Sequence, residues 1–263
     1  MIQYHVFPNG KKRIVTFSYD DGHEKDKRLI EIFNKYGVKA TFHLNGMNYI
    51  GKTDAELKEI KKIYEGHEIS CHTLMHGWPE RMPMQSFARE IIEDRKILEK
   101  IAEAPVIGMS YPSGSFDGDV EQVLDSCGIV YGRTTVSNME FCLPKDFLAW
   151  SPTCHHNDAL ALCDTFLNSL DSEWTHPLFY IWGHSHEFRT EADWNYITEV
   201  VEKLAGNDKI WYATNIEIYN YFKAQKMIQI SWDEKHFYNP TATDVWVEKD
   251  KKDIICIHAG EKI

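Results

Sequence analysis

Short, almost wholly apolar runs alternate along this chain with longer stretches in which apolar side chains recur at helical spacing. Residues 14–17, 38–44, 67–71, 106–109, 129–131 and 178–182 read as buried strands. Between them, Leu29, Ile32, Phe33 and Tyr36 mark one face of a helix that Gly37 ends. Thr53 with Glu56 has the spacing of a capping box, for a helix running to about residue 65. Pro83 opens the longest helical pattern, with Phe87, Ile91, Leu98 and Ile101 on its apolar face. Further helices are predicted near 119–127 and 159–170, and a helix-strand-helix set near 190–224. Strands that are apolar on both faces and alternate with helices predict a parallel sheet covered on both sides. About seven such units fit an α/β fold of the distorted (β/α) barrel type, with an open doubly wound sheet as the competing architecture. From about Met227 the pattern changes to short alternating runs, 228–232 and 244–247. The expected organisation is a barrel over 1–225 and a small C-terminal β extension over 226–263 packed on it.

Composition narrows the function. A chain of 263 residues can bury a full core in one domain. The net charge of −11 argues against nucleic acid and anionic membrane as partners, and no stretch approaches membrane-spanning length. Cys71, Cys127, Cys142, Cys154, Cys163 and Cys256 lack paired short spacing, which suggests reduced thiols rather than a disulfide framework. The opening residues lack a basic start followed by an apolar run, so a cytoplasmic location is the expectation. Thirteen histidines direct attention to metal or proton-transfer chemistry.

The first strand runs into Asp20-Asp21-Gly22. Adjacent carboxylates at a strand end repel unless partnered, and a bound cation resolves that cost. One aspartate can then hold the ion while the other faces its water; the alternative is a solvated turn that caps the helix beginning near Glu24. His72 and His76 are four apart on a turn after the third strand, since Gly77 and Pro79 prevent a long helix. Two imidazoles with the Asp21 carboxylate make a common ligand set for catalytic zinc. His184 ends the apolar strand 178–182, placed to donate a proton, and spacing does not separate it from His186.

Together these clusters resemble the polysaccharide deacetylases of carbohydrate esterase family four. Thr16-Phe17 with Asp20-Asp21-Gly22 is similar to the family's Thr-Phe-Asp-Asp-Gly, with Ser18-Tyr19 inserted. His72-Thr73-Leu74-Met75-His76 meets its His-Ser/Thr-x-x-His, and Trp182-Gly183-His184 its later histidine motif, which favours His184 over His186. The resemblance covers roughly residues 13–225. It implies Asp20 as base, His184 as acid, Asp21, His72 and His76 as ligands of a divalent metal, most simply Zn2+, and the backbone N–H of Ser113 as oxyanion donor. Trp150 and Trp182 are candidates to line the acetyl pocket. An acetylated carbohydrate is the implied substrate, with a small cyclic amide or a non-catalytic binding role as alternatives.

Two departures stand out. The family's Arg-x-Pro-x-Gly appears as Ser110-Tyr111-Pro112-Ser113-Gly114, and its Asp-x-x-Asp-Trp as Asp146-Phe147-Leu148-Ala149-Trp150. The arginine and aspartate that the family pattern sets beside Asp20 and His184 are thereby absent, which puts the usual pKa tuning in doubt and favours a variant with rewired support over a decayed enzyme. His155, His156 or Asp158 are candidates for new partners.

Overall fold

The computed structural model describes residues 1–170 and 177–263. Its centre is β2 (Arg13–Asp20), all eight residues of which are buried. A strand enclosed on both faces must satisfy its polar groups internally. Accordingly Thr16 Oγ1 bonds Asn215 Oδ1 at 3.1 Å, and Ser18 Oγ lies 2.9 Å from His43 Nε2.

One edge of β2 pairs along its length with β8 (Leu178–His184). The other edge is shared: β9 (Ile210–Tyr212) takes Arg13 to Val15 and β3 (Ala40–Leu44) takes Phe17 to Asp20. The sheet continues from β3 through β4 (Glu68–Cys71) and β5 (Gly108–Ser110) to β6 (Tyr131–Arg133), and on the far side from β8 to β7 (Cys154–His155), all parallel. Its two ends meet through the chain before β7. Trp150 exchanges backbone bonds with Gly132 and Thr134, while Thr153 N–H donates to Tyr180 O at 2.9 Å. The expected distorted barrel is the fold observed, with β2 at its centre.

Among the described residues, seven α-helices accompany the sheet: α1 (Asp26–Tyr36), α2 (Asp54–Ile63), α3 (Met84–Ala102), α4 (Gly118–Ser126), α5 (His156–Asn168), α6 (Glu191–Leu204) and α7 (Asn215–Met227). The Thr53–Glu56 capping box forms, and Gly37 closes α1 at φ 68. Leu29, Ile30 and Phe33 of α1 and Phe87, Ile91 and Leu98 of α3 join the main core.

The tail forms antiparallel strands: β10 (Gln229–Ile230) with β11 (Phe237–Tyr238), and β12 (Val245–Lys249) with β13 (Asp253–Ile257). Phe237, Val245, Val247 and Ile257 pack on Ala224 and Ile228 at the end of α7. The short β1 (Ile2–Gln3) pairs with β12, so the first residues, read from sequence with the barrel, join the tail sheet instead. No helix among the described residues is long and apolar enough to cross a membrane.

Candidate active site

Parallel register brings the chemistry together. Asp20, the last residue of β2, is level with His43 of β3 and with His184 of β8, so their side chains meet at the carboxyl ends of the strands. The turns that follow carry Asp21 at φ 77 after β2, and Thr73 at φ 60 and His76 at φ 56 after β4. Non-glycine residues enter this left-handed region at roughly 1 kcal/mol or more each, so other contacts must hold the turns. Asn45 Nδ2 donates to the carbonyls of His72 and Thr73 at 2.7 and 2.9 Å. Beneath them, the buried Asp94 accepts the N–H groups of Gly46 and His72, and burial pushes its carboxyl up to about 7.

Asp21 Oδ1 lies 3.5 Å from His72 Nε2 and 3.6 Å from His76 Nε2, and the three ligand atoms fall within 4.8 Å of one another. His72 is buried, and its Nδ1 lies 2.9 Å from the carbonyl oxygen of Ser110. A proton on Nδ1 donated there leaves Nε2 as the free lone pair. Nε2 is a buried polar atom without a hydrogen-bond partner, pointed at the group with Asp21 and His76. Burial lowers the His72 pKa, favouring the neutral ring that a ligand requires. The donor set therefore fits a divalent ion. His186 stands at its rim, Nδ1 3.7 Å from Asp21 Oδ2.

Asp20 does not lack a cation. Arg133, at the end of β6, is fully buried and its Nη2 bonds Asp20 Oδ2; Ser110 Oγ donates to Oδ1 at 3.0 Å. Burial by itself would raise this carboxyl, but the Arg133 guanidinium, with His72, His43 and His184, holds it well below the usual carboxylate range. The support expected to be rewired at Ser110 is supplied from the neighbouring strand, by a residue not among the candidates named from sequence. The guanidinium is stacked 4.5 Å over the ring of Trp182.

Nor does His184 lack a carboxylate. Glu187, three residues on, lies 3.3 Å from its Nδ1. Burial opposes the imidazolium, but the Glu187 bond and the charges of Asp20, Glu187 and Asp21 raise the His184 pKa above its ordinary value. His184 Nε2 stands 3.9 Å from Asp20 Oδ2, on the open side of the group. His155 and His156 reach this centre through Glu187, at 3.0 and 3.1 Å, whereas Asp158 is exposed on α5.

Ser113 sits at φ 55 just beyond β5. The two tryptophans part company. Trp182 keeps 8% exposure, its indole N–H donating to Ser137 Oγ and its ring 5.6 Å from that of His184. Trp150 has no exposed surface and packs edge-on against Phe147, Tyr131 and Tyr180, so it is a core residue and not the pocket lining expected of it. Arg133 and Glu187 went unread in the sequence. The signal available was an arginine closing a strand of otherwise buried residues, and a glutamate one turn after the strand-end histidine.

A parallel (β/α) barrel that gathers an Asp-His-His group, a paired aspartate and a paired histidine at its mouth has the architecture of the carbohydrate deacetylases. Residues 8–132 match the family model described as polysaccharide deacetylase. It is 26% identical over 114 residues to the peptidoglycan-N-acetylglucosamine deacetylase of Bacillus cereus, a match covering 43% of this chain and 51% of the relative. It is 33% identical over 101 residues to a chitin deacetylase of Arthroderma benhamiae, covering 38% of this chain and 26% of that one. The chain thus matches about half of the first relative's length and less of the second's. In fold it is similar to a Mycobacterium smegmatis structure that bears the same family name, with TM-score 0.64, 17% identity and coverage of 86% and 96% of the two chains. It is also similar to a pseudoenzyme of carbohydrate esterase family four from Bacillus anthracis, with TM-score 0.54, 21% identity and coverage of 82% and 68%.

Proposed function

We propose that this protein hydrolyses the acetyl group of an N-acetylated sugar, using a divalent metal held by Asp21, His72 and His76. The observation that carries this reading is the buried, unpartnered Nε2 of His72, aimed between Asp21 and His76 with the Asp20–Arg133 and His184–Glu187 pairs beside it. An ion there, zinc by ligand type, would supply Lewis acidity and make a nearby water easier to deprotonate. Asp20 takes the proton of the water that attacks the acetyl carbonyl. Arg133 keeps Asp20 ionised and so able to accept that proton. The backbone N–H of Ser113 faces the developing oxyanion in this scheme. His184 hands a proton to the departing amine, and Glu187 stabilises the imidazolium until it does. Trp182 walls the site by supporting both Arg133 and His184.

The retention of a cation for Asp20 and a carboxylate for His184 supports turnover over a purely binding role. The test is acetate release from N-acetylated chitooligosaccharides, with O-acetylated sugars in parallel. Asp20→Asn is expected to keep its metal and lose about 10²–10⁴-fold in rate. Bound metal without acetate release by the unaltered chain from either substrate type would sink the catalytic reading.

A further inference from the structure

Next to this group is a second convergence of ligand-type side chains that the proposed reaction leaves partly unused. His155 closes β7 and His156 opens α5, and their Nε2 atoms stand 3.0 and 3.1 Å from the same oxygen, Glu187 Oε2. The three ligand atoms lie within 4.8 Å of one another. Despite that closeness neither ring nitrogen is aligned for a hydrogen bond, and Oε2 is buried with no hydrogen-bond partner among the described residues. The other carboxylate oxygen, Oε1, faces His184 Nδ1. A charged oxygen enclosed without a directed donor is costly to leave in that state. Two imidazole nitrogens set off-axis around one carboxylate oxygen form a donor set and spacing suited to a borderline cation.

The backbone fixes these side chains in advance. Parallel pairing sets His155 level with Trp182, whose ring meets the imidazole edge-on at 5.1 Å. The ring of Phe188 stacks 4.7 Å from that of His156. At Gly183 a Cβ atom would come within 2.0 Å of His156 Nδ1, so the absence of a side chain there makes room for the ring. Glu187 itself lies on the turn immediately after β8, between the two histidine groups. His184 and His186 also cluster with Glu187, but His184 already faces Oε1 and leaves the unsatisfied oxygen to His155 and His156.

We propose that His155, His156 and Glu187 form a second site for a divalent transition metal, of the Zn2+ or Co2+ class, distinct from the Asp21, His72 and His76 group. Glu187 then faces two ways, with Oε2 on the ion and Oε1 on His184. The site does not depend on the deacetylase reading.

The test is metal binding to the full chain, stripped with chelator and titrated with Co2+, followed by calorimetry, the visible spectrum of the bound ion and elemental analysis. The unaltered chain is expected to bind about two ions, with the spectrum of a low-coordinate site contributed by each. His155→Ala, at a partly exposed side chain, and the near-isosteric Glu187→Gln are each expected to lose one ion while keeping the melting behaviour of the metal-free chain. His76→Ala should lose the other ion and keep this one. Loss of the only bound ion in His155→Ala, with none lost in His76→Ala, would uphold this site and overturn the first. A single ion, lost in His76→Ala and retained in both His155→Ala and Glu187→Gln, would overturn the inference and leave the proposed function standing.

Discussion

Two halves of the candidate site, the proposed ligands Asp21, His72 and His76 and the proposed acid–base residues Asp20 and His184, are anchored differently. Asp21 and His76 lie on turns in the left-handed region, and backbone contacts from Asn45 and Asp94 hold the turn that carries His72. Asp20 and His184 lie at the ends of paired strands, and each is matched with an opposite charge, Arg133 brought from β6 and Glu187 three residues on in the turn after β8. The first half depends on left-handed turns, and side chains from elsewhere in the chain hold the one that carries His72. The second depends on charge meeting charge at one point in space, and a barrel offers several strands from which that charge can come. Asp21, His72 and His76 keep the positions of the motifs quoted above, while the charges beside Asp20 and His184 come from Arg133 and Glu187.

The sharpest way to break the contrast is to remove the guanidinium. Arg133→Met is expected to cost roughly 3–5 kcal/mol of stability, because Asp20 is left buried without its counter-charge. Denaturant unfolding checks this, and a loss below about 1 kcal/mol would mean that Ser110 and the surrounding imidazoles suffice. The next effect is on proton delivery. Glu187→Gln should lower the rate of acetate release about 10–100-fold and move the alkaline limb of its pH profile to lower pH. The sign follows from the cited shift: Glu187 helps hold the His184 pKa up, so without it the imidazolium is lost sooner as pH rises. An unmoved limb would separate Glu187 from the acid.

The smallest effect comes from Asp26, a buried carboxyl near the same turns that has no cation. It accepts from Tyr64 O–H at 2.9 Å, and burial pushes it from 3.8 up to about 7. Between those values the folded state keeps a proton that the unfolded chain has released, so stability declines as pH rises through that window and levels above it. Asp26→Asn is expected to flatten this decline, read from denaturant midpoints at several pH values. Asp20 behaves in the opposite sense, since its stabilisation is present above the unfolded value and lost as pH falls.

The sequence was informative where one local pattern decides the structure. The strand-helix alternation predicts the parallel barrel, and Asp20, Asp21, His72, His76 and His184 come together at one mouth as their positions after strands require. It was uninformative where two distant segments share one role. Nothing near Ser110 points to Arg133, because the exchange takes place across neighbouring strands, and nothing near Ala149 points to Glu187. Trp150 misled for a related reason. Its place in the motif is kept, but with its ring closed in by Phe147, Tyr131 and Tyr180 it serves packing and the closure of the sheet. The amino-terminal residues gave no sign that they belong to the tail sheet, since a two-residue strand has no periodicity to read.

The shared edge of β2 bears on how the chain is made. That strand leaves the ribosome well before its later partners, so one flank waits for β8 and part of the other for β9. At typical translation speeds the interval is roughly ten to thirty seconds, during which a sticky, unmated segment has to be shielded. Expression at lower temperature or with extra chaperone should therefore raise soluble yield, and the gain should shrink when β2 is made less apolar.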